Sequence, residues 1–296
     1  MYNEKELFLP EIERICHEKN YSFRANSSIG VGGTAKVAFF PEKISELLTL
    51  IGRLKTLEIP YRILGNTTNS LPSEGESKRI AVFTTKMRSV GVGEETVFAL
   101  AGATTEDLLN ACEARGKTGA EFLEGIPATI GGALYMNAGA CGKRIDAIVE
   151  SVLVYKDGKI RVIPKESCGY SYKHSVFMQD DCVILGGSFL LETCDPYEVE
   201  KNREYYRDLR KKLPVGKSMG CIFKNPNGVS AGKLVEGAGL KGLKRGGAFV
   251  SREHANFIIN GGDASVKDIL TLINLIKSAV FSQYGVRLEE EIRYLD

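Results

Sequence analysis

Apolar residues recur along the chain at two spacings, one helical and one alternating. Ile44, Leu47, Leu48, Ile51 and Leu54 share one helical face that ends before Pro60, which predicts a helix, then a strand at Tyr61–Leu64 and a turn at Gly65. Strand-type runs follow at Ile80–Thr84 and Val97–Ala101. A helix is expected at Asp107–Arg115, with Leu108, Leu109 and Cys112 on one face and Gly116 available as its cap. Val152–Tyr155 and Ile160–Ile163 flank Lys156-Asp157-Gly158-Lys159, where Asp-Gly accepts the positive φ angles of a tight type I′ hairpin. After a strand at Cys182–Leu191, Asp195-Pro196 offers an N-cap and first helical position for a charged helix reaching about Lys212. The last helix opens on a Ser265-x-x-Asp268 capping box, turns Val266, Ile269, Leu270, Ile273, Ile276 and Val280 inward, and stops at Gly285. Val286–Tyr294 beyond it is strand-like. No fixed-period repeat is present, so the pattern is that of a mixed α and β protein.

Length and composition narrow the class. At 296 residues two or three packed units are expected. A hydrophobic fraction of 43%, with 32 Gly against 9 Pro, excludes disorder and collagen-like structure. The net charge of +2 is dispersed, which argues against a nucleic-acid partner. The amino terminus lacks the basic and apolar regions of a signal peptide, and the most apolar stretch, Ile269–Val280, is broken by Asn274 and Lys277, so no membrane insertion is expected. Cysteines at 16, 112, 141, 168, 182, 194 and 221 form no C-x-x-C pair, which suggests neither a disulfide framework nor a metal site and makes the cytoplasm the expected compartment.

Candidate chemistry begins with two glycine clusters, Gly30–Gly33 and GIPATIGGALYMNAGA at 125–140. Glycine lets backbone N–H groups approach a pyrophosphate, although a glycine cluster can equally serve turns alone. Neither cluster has the spacing of a Rossmann fingerprint, a P-loop or a kinase loop. Three polar groups stand out beside them: Tyr172-Lys173-His174-Ser175, the stretch from Ser218 to Pro226, and Leu288–Arg293. Singly, these read as a solvated lysine, a quiet buried cysteine and an acidic wet face.

Together, in this order, they resemble the UDP-N-acetylenolpyruvoylglucosamine reductase family over Asn26 to Arg293. The resemblance rests on 125–140, GYSYKHSVF at 169–177, GCIFKNP at 220–226, SAGKLVEGAGLKGL at 230–243, GGAFVSREHANFIIN at 246–260 and LEEEIR at 288–293. It implies an α+β fold, a two-lobed FAD-binding module of the vanillyl-alcohol oxidase type followed by a smaller α+β substrate domain. The lobes are expected at 1–85 and 86–193 and the substrate domain at 194–285, with the tail 286–296 returning to the first lobe. The chain looks like the shorter subclass without a tyrosine loop.

The implied chemistry is NADPH-dependent reduction of an enolpyruvyl ether on a UDP-sugar nucleotide through FAD, by a cytoplasmic protein for which a monomer is favoured. Family positions for catalysis match Cys221, Lys173 and Glu291, and those for substrate match Tyr172, Lys212 and Asn225. The flavin positions match Gly32, Gly33, Gly65, Asn69, Gly102, Gly125, Ile126, Pro127, Thr129, Gly131, Gly132, Asn137 and Gly139. Cys221 stands where the family has serine; a thiol, with an ordinary pKa of about 8.5, is a stronger acid than a hydroxyl and can donate a proton while protonated. Lys173 replaces an arginine, keeping the charge but not the bidentate fork. Gly65-Asn66-Thr67-Thr68-Asn69 replaces the usual G-G-G-S-N, and Ile29-Gly30 replaces an aromatic and a basic residue. These departures leave two alternatives open: a flavin oxidoreductase of the same architecture on another substrate, and a sugar-nucleotide binding protein that has lost its flavin.

Overall fold

The computed structural model describes residues 7–179 and 181–295. Its helices of seven or more residues are α1 (Ile44–Thr56), α2 (Thr105–Glu113), α3 (Ile130–Met136), α4 (Pro196–Arg210), α5 (Ala231–Gly237) and α6 (Val266–Tyr284). The chain divides into two compact units. Of the described residues, the first holds those up to Glu18, Ala38–Asn66 and Ile80–Lys211; the second holds Lys19–Val37, Thr67–Arg79 and those from Lys212 on.

Two sheets build the first unit. In one, Ile80–Phe83 pairs in parallel with Tyr61–Leu64 on one side and with Ala38 and Phe39 on the other. Helix α1, which leads from strand 34–39 to strand 61–64, buries Leu47, Leu50, Ile51 and Leu54 completely. Each such side chain contributes roughly 2 kcal/mol on leaving water, so this face, rather than helix propensity, holds α1 in place. Leu50 takes the fully buried position that the periodicity assigned to Leu48, which is only partly covered.

The other sheet is antiparallel, in the order 159–164, 149–156, 183–190, 96–100, 90–92. Its hairpin closes on Asp157 and Gly158 at φ 51° and 76°, as the Asp-Gly pair predicts. Helices α2 and α3 pack Leu108, Leu109, Cys112, Ile130, Ala133 and Leu134 into the core of this sheet. The Thr104 and Asp107 side chains form a capping box at the start of α2.

Helix α4 belongs to this first unit, whereas the sequence placed the domain change before it, near residue 194. The reason is electrostatic. Arg203, only 5% exposed, donates to Glu124 at 2.7 Å, Glu113 at 2.5 Å and Asn110 at 2.9 Å, which ties α4 to α2 and to the residue preceding Gly125. Stretches 19–37 and 67–79, expected within the first lobe, pack instead with the C-terminal part of the chain.

In the second unit a three-stranded antiparallel sheet, 244–245, 248–250 and 258–260, packs with α5 and α6 around Val250, Ile258, Ile269, Ile273 and Ile276. The predicted capping box forms at Ser265 and Asp268, and Gly285 ends α6 at φ 67°. Leu272 is buried where Leu270 was expected to be. Within 286–294 only Arg293 and Tyr294 are strand; Arg293–Leu295 pairs in parallel with Ser70–Pro72, a segment of the second unit, whereas the tail was expected to return to the first lobe. No helix among the described residues is long and apolar enough to cross a membrane.

Candidate active site

The glycine loop of the first unit is held from within. Thr129 caps α3, its hydroxyl accepting from the Gly132 N–H at 3.3 Å. The N–H groups of Ile130 and Gly131 donate to the carbonyls of Ala103 and Ala101 at 2.7 and 2.8 Å. The donors of 130–132 are thus engaged inside the protein. Glycine at 131 serves a close approach: a Cβ there would lie 3.0 Å from the Ala101 Cβ and 3.1 Å from its carbonyl oxygen. At 132 the situation differs, because a Cβ would meet only the Thr129 hydroxyl, at 3.3 Å.

The strand-end turn at Gly65 lies against this loop. A Cβ on Gly65 would stand 2.2 Å from Thr129 Oγ1, and Asn66 Nδ2 donates to the Pro127 carbonyl at 3.4 Å. Gly102 follows the strand 96–100 and donates to Met87 at 3.1 Å, while Ile126 donates to Leu123 at 3.0 Å just after Gly125. Gly139 pairs with Arg144 in a short hairpin.

Asn137 is fully buried in the left-handed conformation that ends α3. Its Nδ2 donates to the Ser171 carbonyl at 2.8 Å and to Asp146 Oδ2 at 3.2 Å, and its Oδ1 accepts from the Asp146 N–H at 3.2 Å. Rather than offering an amide to a ligand, Asn137 fastens the turn that carries Lys173. In that turn Ser171 and His174 exchange backbone hydrogen bonds of 3.2 Å, leaving Tyr172 and Lys173 at its tip. Lys173 sits at φ 55°, a conformation that costs a non-glycine residue about 1–2 kcal/mol. The buried Ser175 hydroxyl donates to the Tyr135 carbonyl at 2.7 Å and anchors the turn's other end.

In the second unit, stretches far apart in sequence form a small ladder. The Ile222 N–H donates to the Asn256 carbonyl at 2.8 Å, and the Ile222 carbonyl accepts from the Glu291 N–H at 2.7 Å. Cys221 faces Phe257 and Phe223 faces Glu290 in isolated bridges. Of the residues expected to act together, Glu291 is thus joined through its main chain to the residue that follows Cys221. Asn69 belongs to the same ladder: its Nδ2 donates to the Glu291 carbonyl at 3.1 Å, and its carbonyl accepts from the Arg293 N–H at 2.9 Å. Asn225 Oδ1 accepts from the Ala231 N–H at 2.9 Å at the entrance to α5. Gly32 and Gly33 precede the strand 34–39, and Gly33 donates to the Ser73 carbonyl at 2.8 Å. Lys212, exposed, opens the C-terminal part of this unit, while Lys173 and Tyr172 belong to the first.

Ionisation follows these contacts. Burial alone would raise the Glu290 carboxyl, but Lys277 at 2.8 Å and the Tyr294 hydroxyl at 2.5 Å outweigh it and hold the group below the usual range. Burial, with Glu290 beside it, raises the Tyr294 hydroxyl. Burial pushes the thiols of Cys112 and Cys168 up to about 12 and about 11, which keeps them protonated and inert near neutrality. Cys221 is only partly covered.

Asn256, Glu290 and Lys277 were not among the expected site residues. Asn256 lies in the GGAFVSREHANFIIN stretch, where a polar residue inside an otherwise apolar run was the available signal.

A flavin nucleotide fits the first unit. The Gly65–Asn66 turn and the 125–132 loop meet through small residues, and the Gly132 side of that loop is space that a side chain would fill. Glycine at 65 and 132 and the main chain of 125–129 are what these two segments bring together there.

Comparison with known proteins agrees. Residues 211–295 match the family described as "UDP-N-acetylenolpyruvoylglucosamine reductase, C-terminal domain", and residues 35–163 match "FAD binding domain". A UDP-N-acetylenolpyruvoylglucosamine reductase of Caldanaerobacter subterraneus subsp. tengcongensis is 37% identical over 295 residues, covering 97% of this chain and 98% of the relative. One from Caldicellulosiruptor saccharolyticus is 38% identical over 271 residues, covering 90% and 87%. A crystal structure of UDP-N-acetylenolpyruvylglucosamine reductase from Thermus caldophilus superposes with a TM-score of 0.81 at 32% identity, covering 96% of this chain and 99% of that one.

Proposed function

Because the chain belongs to the UDP-N-acetylenolpyruvoylglucosamine reductase family, we propose that Cys221, Glu291 and Lys173 carry out that family's chemistry in it. The protein is an FAD-dependent oxidoreductase with a two-lobed α+β flavin module of the vanillyl-alcohol oxidase type and a smaller substrate domain. It reduces UDP-N-acetylenolpyruvoylglucosamine to UDP-N-acetylmuramate with NADPH, a step in making peptidoglycan precursors. When bound, FAD would supply the hydride for the vinyl carbon of the substrate.

The chain's own residues have the remaining work. Hydride arrival at the terminal carbon places negative charge on the adjacent carbon and its carboxylate, and that charge must be stabilised and then protonated. Cys221 gives the thiol proton to that carbon and is left as thiolate, to be reprotonated from solvent before the next turnover. Lys173 offers a cation to the carboxylate from a turn that Asn137 and Ser175 fix. Glu291 orients the donor side of the substrate, with Asn225 and Lys212 contributing to its binding.

The observation that supports the donor assignment is the 2.7 Å bond from the Glu291 N–H to the Ile222 carbonyl, which joins the main chain of Glu291 to the residue that follows Cys221. We place the enzyme in the cytoplasm, a reading supported by seven cysteines of which none forms a disulfide. Purified protein should be yellow, release FAD on denaturation, and oxidise NADPH only when the enolpyruvyl sugar nucleotide is present. Colourless protein, or NADPH oxidation indifferent to that substrate, would return one of the two alternatives.

A further inference from the structure

The stretch Ser251–Phe257 contains a buried asparagine that the family chemistry does not use, and it grips the segment bearing the thiol. Asn256 is 3% exposed. Its Oδ1 accepts from the Phe223 N–H at 2.9 Å, its Nδ2 donates to the Phe223 carbonyl at 2.8 Å, and its own carbonyl accepts from the Ile222 N–H at 2.8 Å. A single residue therefore satisfies both backbone groups of Phe223 and the donor of Ile222, acting as a substitute strand beside Cys221. The Ile222 and Phe223 side chains are buried, so the segment has little freedom apart from these bonds.

The grip is itself rigid. Ser251 Oγ accepts from the N–H groups of Glu253 and His254 at 3.1 and 3.2 Å, and the Phe257 N–H returns to the His254 carbonyl at 3.0 Å. The Asn256 N–H donates to His254 Nδ1 at 3.3 Å, a contact that requires the neutral ring, and burial lowers the His254 pKa. Both ends of the amide are thus assigned by partners of opposite kind: an N–H and a carbonyl of the same residue.

We infer that Asn256 is a positioning residue for the proton-donating Cys221, setting where the thiol stands by fixing the backbone of the two residues that follow it. This rests on the reading of Cys221 as donor. Proton transfer falls steeply with misplacement, on the order of 100-fold for about 1 Å, so loosening this segment should slow protonation without touching delivery of electrons into the enzyme.

The test uses the FAD-loaded full chain. Asn256→Ala removes both side-chain bonds of the grip, keeping only the main-chain bond to Ile222, and risks the fold, since it leaves two buried backbone groups without partners. Asn256→Asp keeps the size and the acceptor for the Phe223 N–H while placing an oxygen against the Phe223 carbonyl. In Asn256→Asp, flavin reduction by NADPH should stay within about twofold of wild type, while anaerobic reoxidation by the enolpyruvyl substrate slows on the order of 10- to 100-fold. The rate of iodoacetamide labelling at Cys221, followed by peptide mass spectrometry, should change severalfold while labelling at Cys16, exposed in the other unit, does not. Placed in a Cys221→Ala background, Asn256→Asp should slow reoxidation no further, because its effect passes through the thiol.

Equal slowing by Asn256→Asp with and without the thiol, or unchanged reoxidation together with unchanged labelling at Cys221, would overturn the positioning role. The underlying reading is tested separately: Cys221→Ala reoxidising as fast as wild type would remove the donor assignment and this inference with it.

Discussion

The glycine loop of the first unit and the thiol ladder of the second solve the same problem by different means. Both must hold backbone in a fixed place. The loop does so with contiguous sequence, Gly125 to Asn137, whose small residues let α3 approach Ala101 and whose terminal asparagine then secures the Lys173 turn. The ladder instead collects Asn69, Ile222, Asn256 and Glu291 from four places in the chain and joins them through main-chain hydrogen bonds and the Asn69 amide. Motif glycines here mark backbone packing as much as ligand contact, and side-chain amides do positioning that no motif advertises.

The largest expected effect falls on the ladder. Cys221→Ala should leave flavin reduction by NADPH intact and slow reoxidation by substrate about 10²–10⁴-fold, the usual span for losing a general acid. Cys221→Ser, which restores the family's hydroxyl, should retain useful turnover. Wild-type reoxidation should also decline at alkaline pH as the thiol ionises, a limb the serine variant lacks. A shared limb in both proteins would assign the alkaline loss to another group.

Next in size is the first unit's contribution. Lys173→Ala should lower the reoxidation rate about 10–100-fold and Lys173→Arg should retain or raise it, since a guanidinium pairs a carboxylate in two places. If both variants reoxidise like wild type, the turn fastened by Asn137 has no part in the chemistry and only the ladder remains. Glu291→Gln measured beside them separates the two units, because it keeps the ladder's backbone bonds and removes only charge.

Much of this was legible in the sequence where one local rule decides. The Asp157-Gly158 hairpin, the Asp195-Pro196 start of α4 and the Ser265–Asp268 box all formed as predicted, each being settled within four residues. Partnership was less legible. Nothing near Arg203 reveals that its acceptors are Glu113 and Glu124, so the domain change was set too early. The early stretches 19–37 and 67–79 join the second unit by pairings such as Leu71 with Tyr294, and long-range pairing leaves no mark on local composition. At the site, the residue types of Cys221 and Glu291 were visible, while the amides of Asn69, Asn137 and Asn256 resembled ordinary polar positions until their partners were known.

Paired substitutions sharpen the reading of the loop. Gly131→Val forces methyls onto Ala101 and should cost about 1–3 kcal/mol of stability in protein stripped of FAD. Gly132→Val meets only the Thr129 hydroxyl, so its main effect should be weaker FAD retention with a smaller change in flavin-free melting. Thermal melts of both apoproteins and fluorescence titration with FAD distinguish them. The reverse pattern, a stable Gly131→Val that has lost FAD, would restore position 131 to the ligand face.

The smallest effect concerns acid stability, and it compares one carboxylate from each unit. Glu290 in the second unit is held low by Lys277 and Tyr294 against the opposing effect of burial; Asp107 in the first is held low chiefly by its hydrogen bond from Arg88. In both, the folded pKa lies below the unfolded one, so each contributes stability that is complete above about pH 4–5 and disappears as pH falls through the folded value. The cations are substantially exposed, with Lys277 at 40% and Arg88 at 57%, so solvent screening limits each pair to about 1 kcal/mol or less. Lys277→Met should therefore lower the urea midpoint at pH 7, and the difference from wild type should shrink toward pH 3.5 as Glu290 protonates in both proteins. Arg88→Met should show the same sign with a smaller amplitude, because Asp107 keeps the Thr104 N–H at 2.8 Å as a partner in the α2 capping box. Midpoints recorded between pH 3.5 and 7 check this directly. A Lys277→Met deficit that stays constant with pH would mean that the lysine acts by packing on α6 and not through the carboxylate next to Glu291.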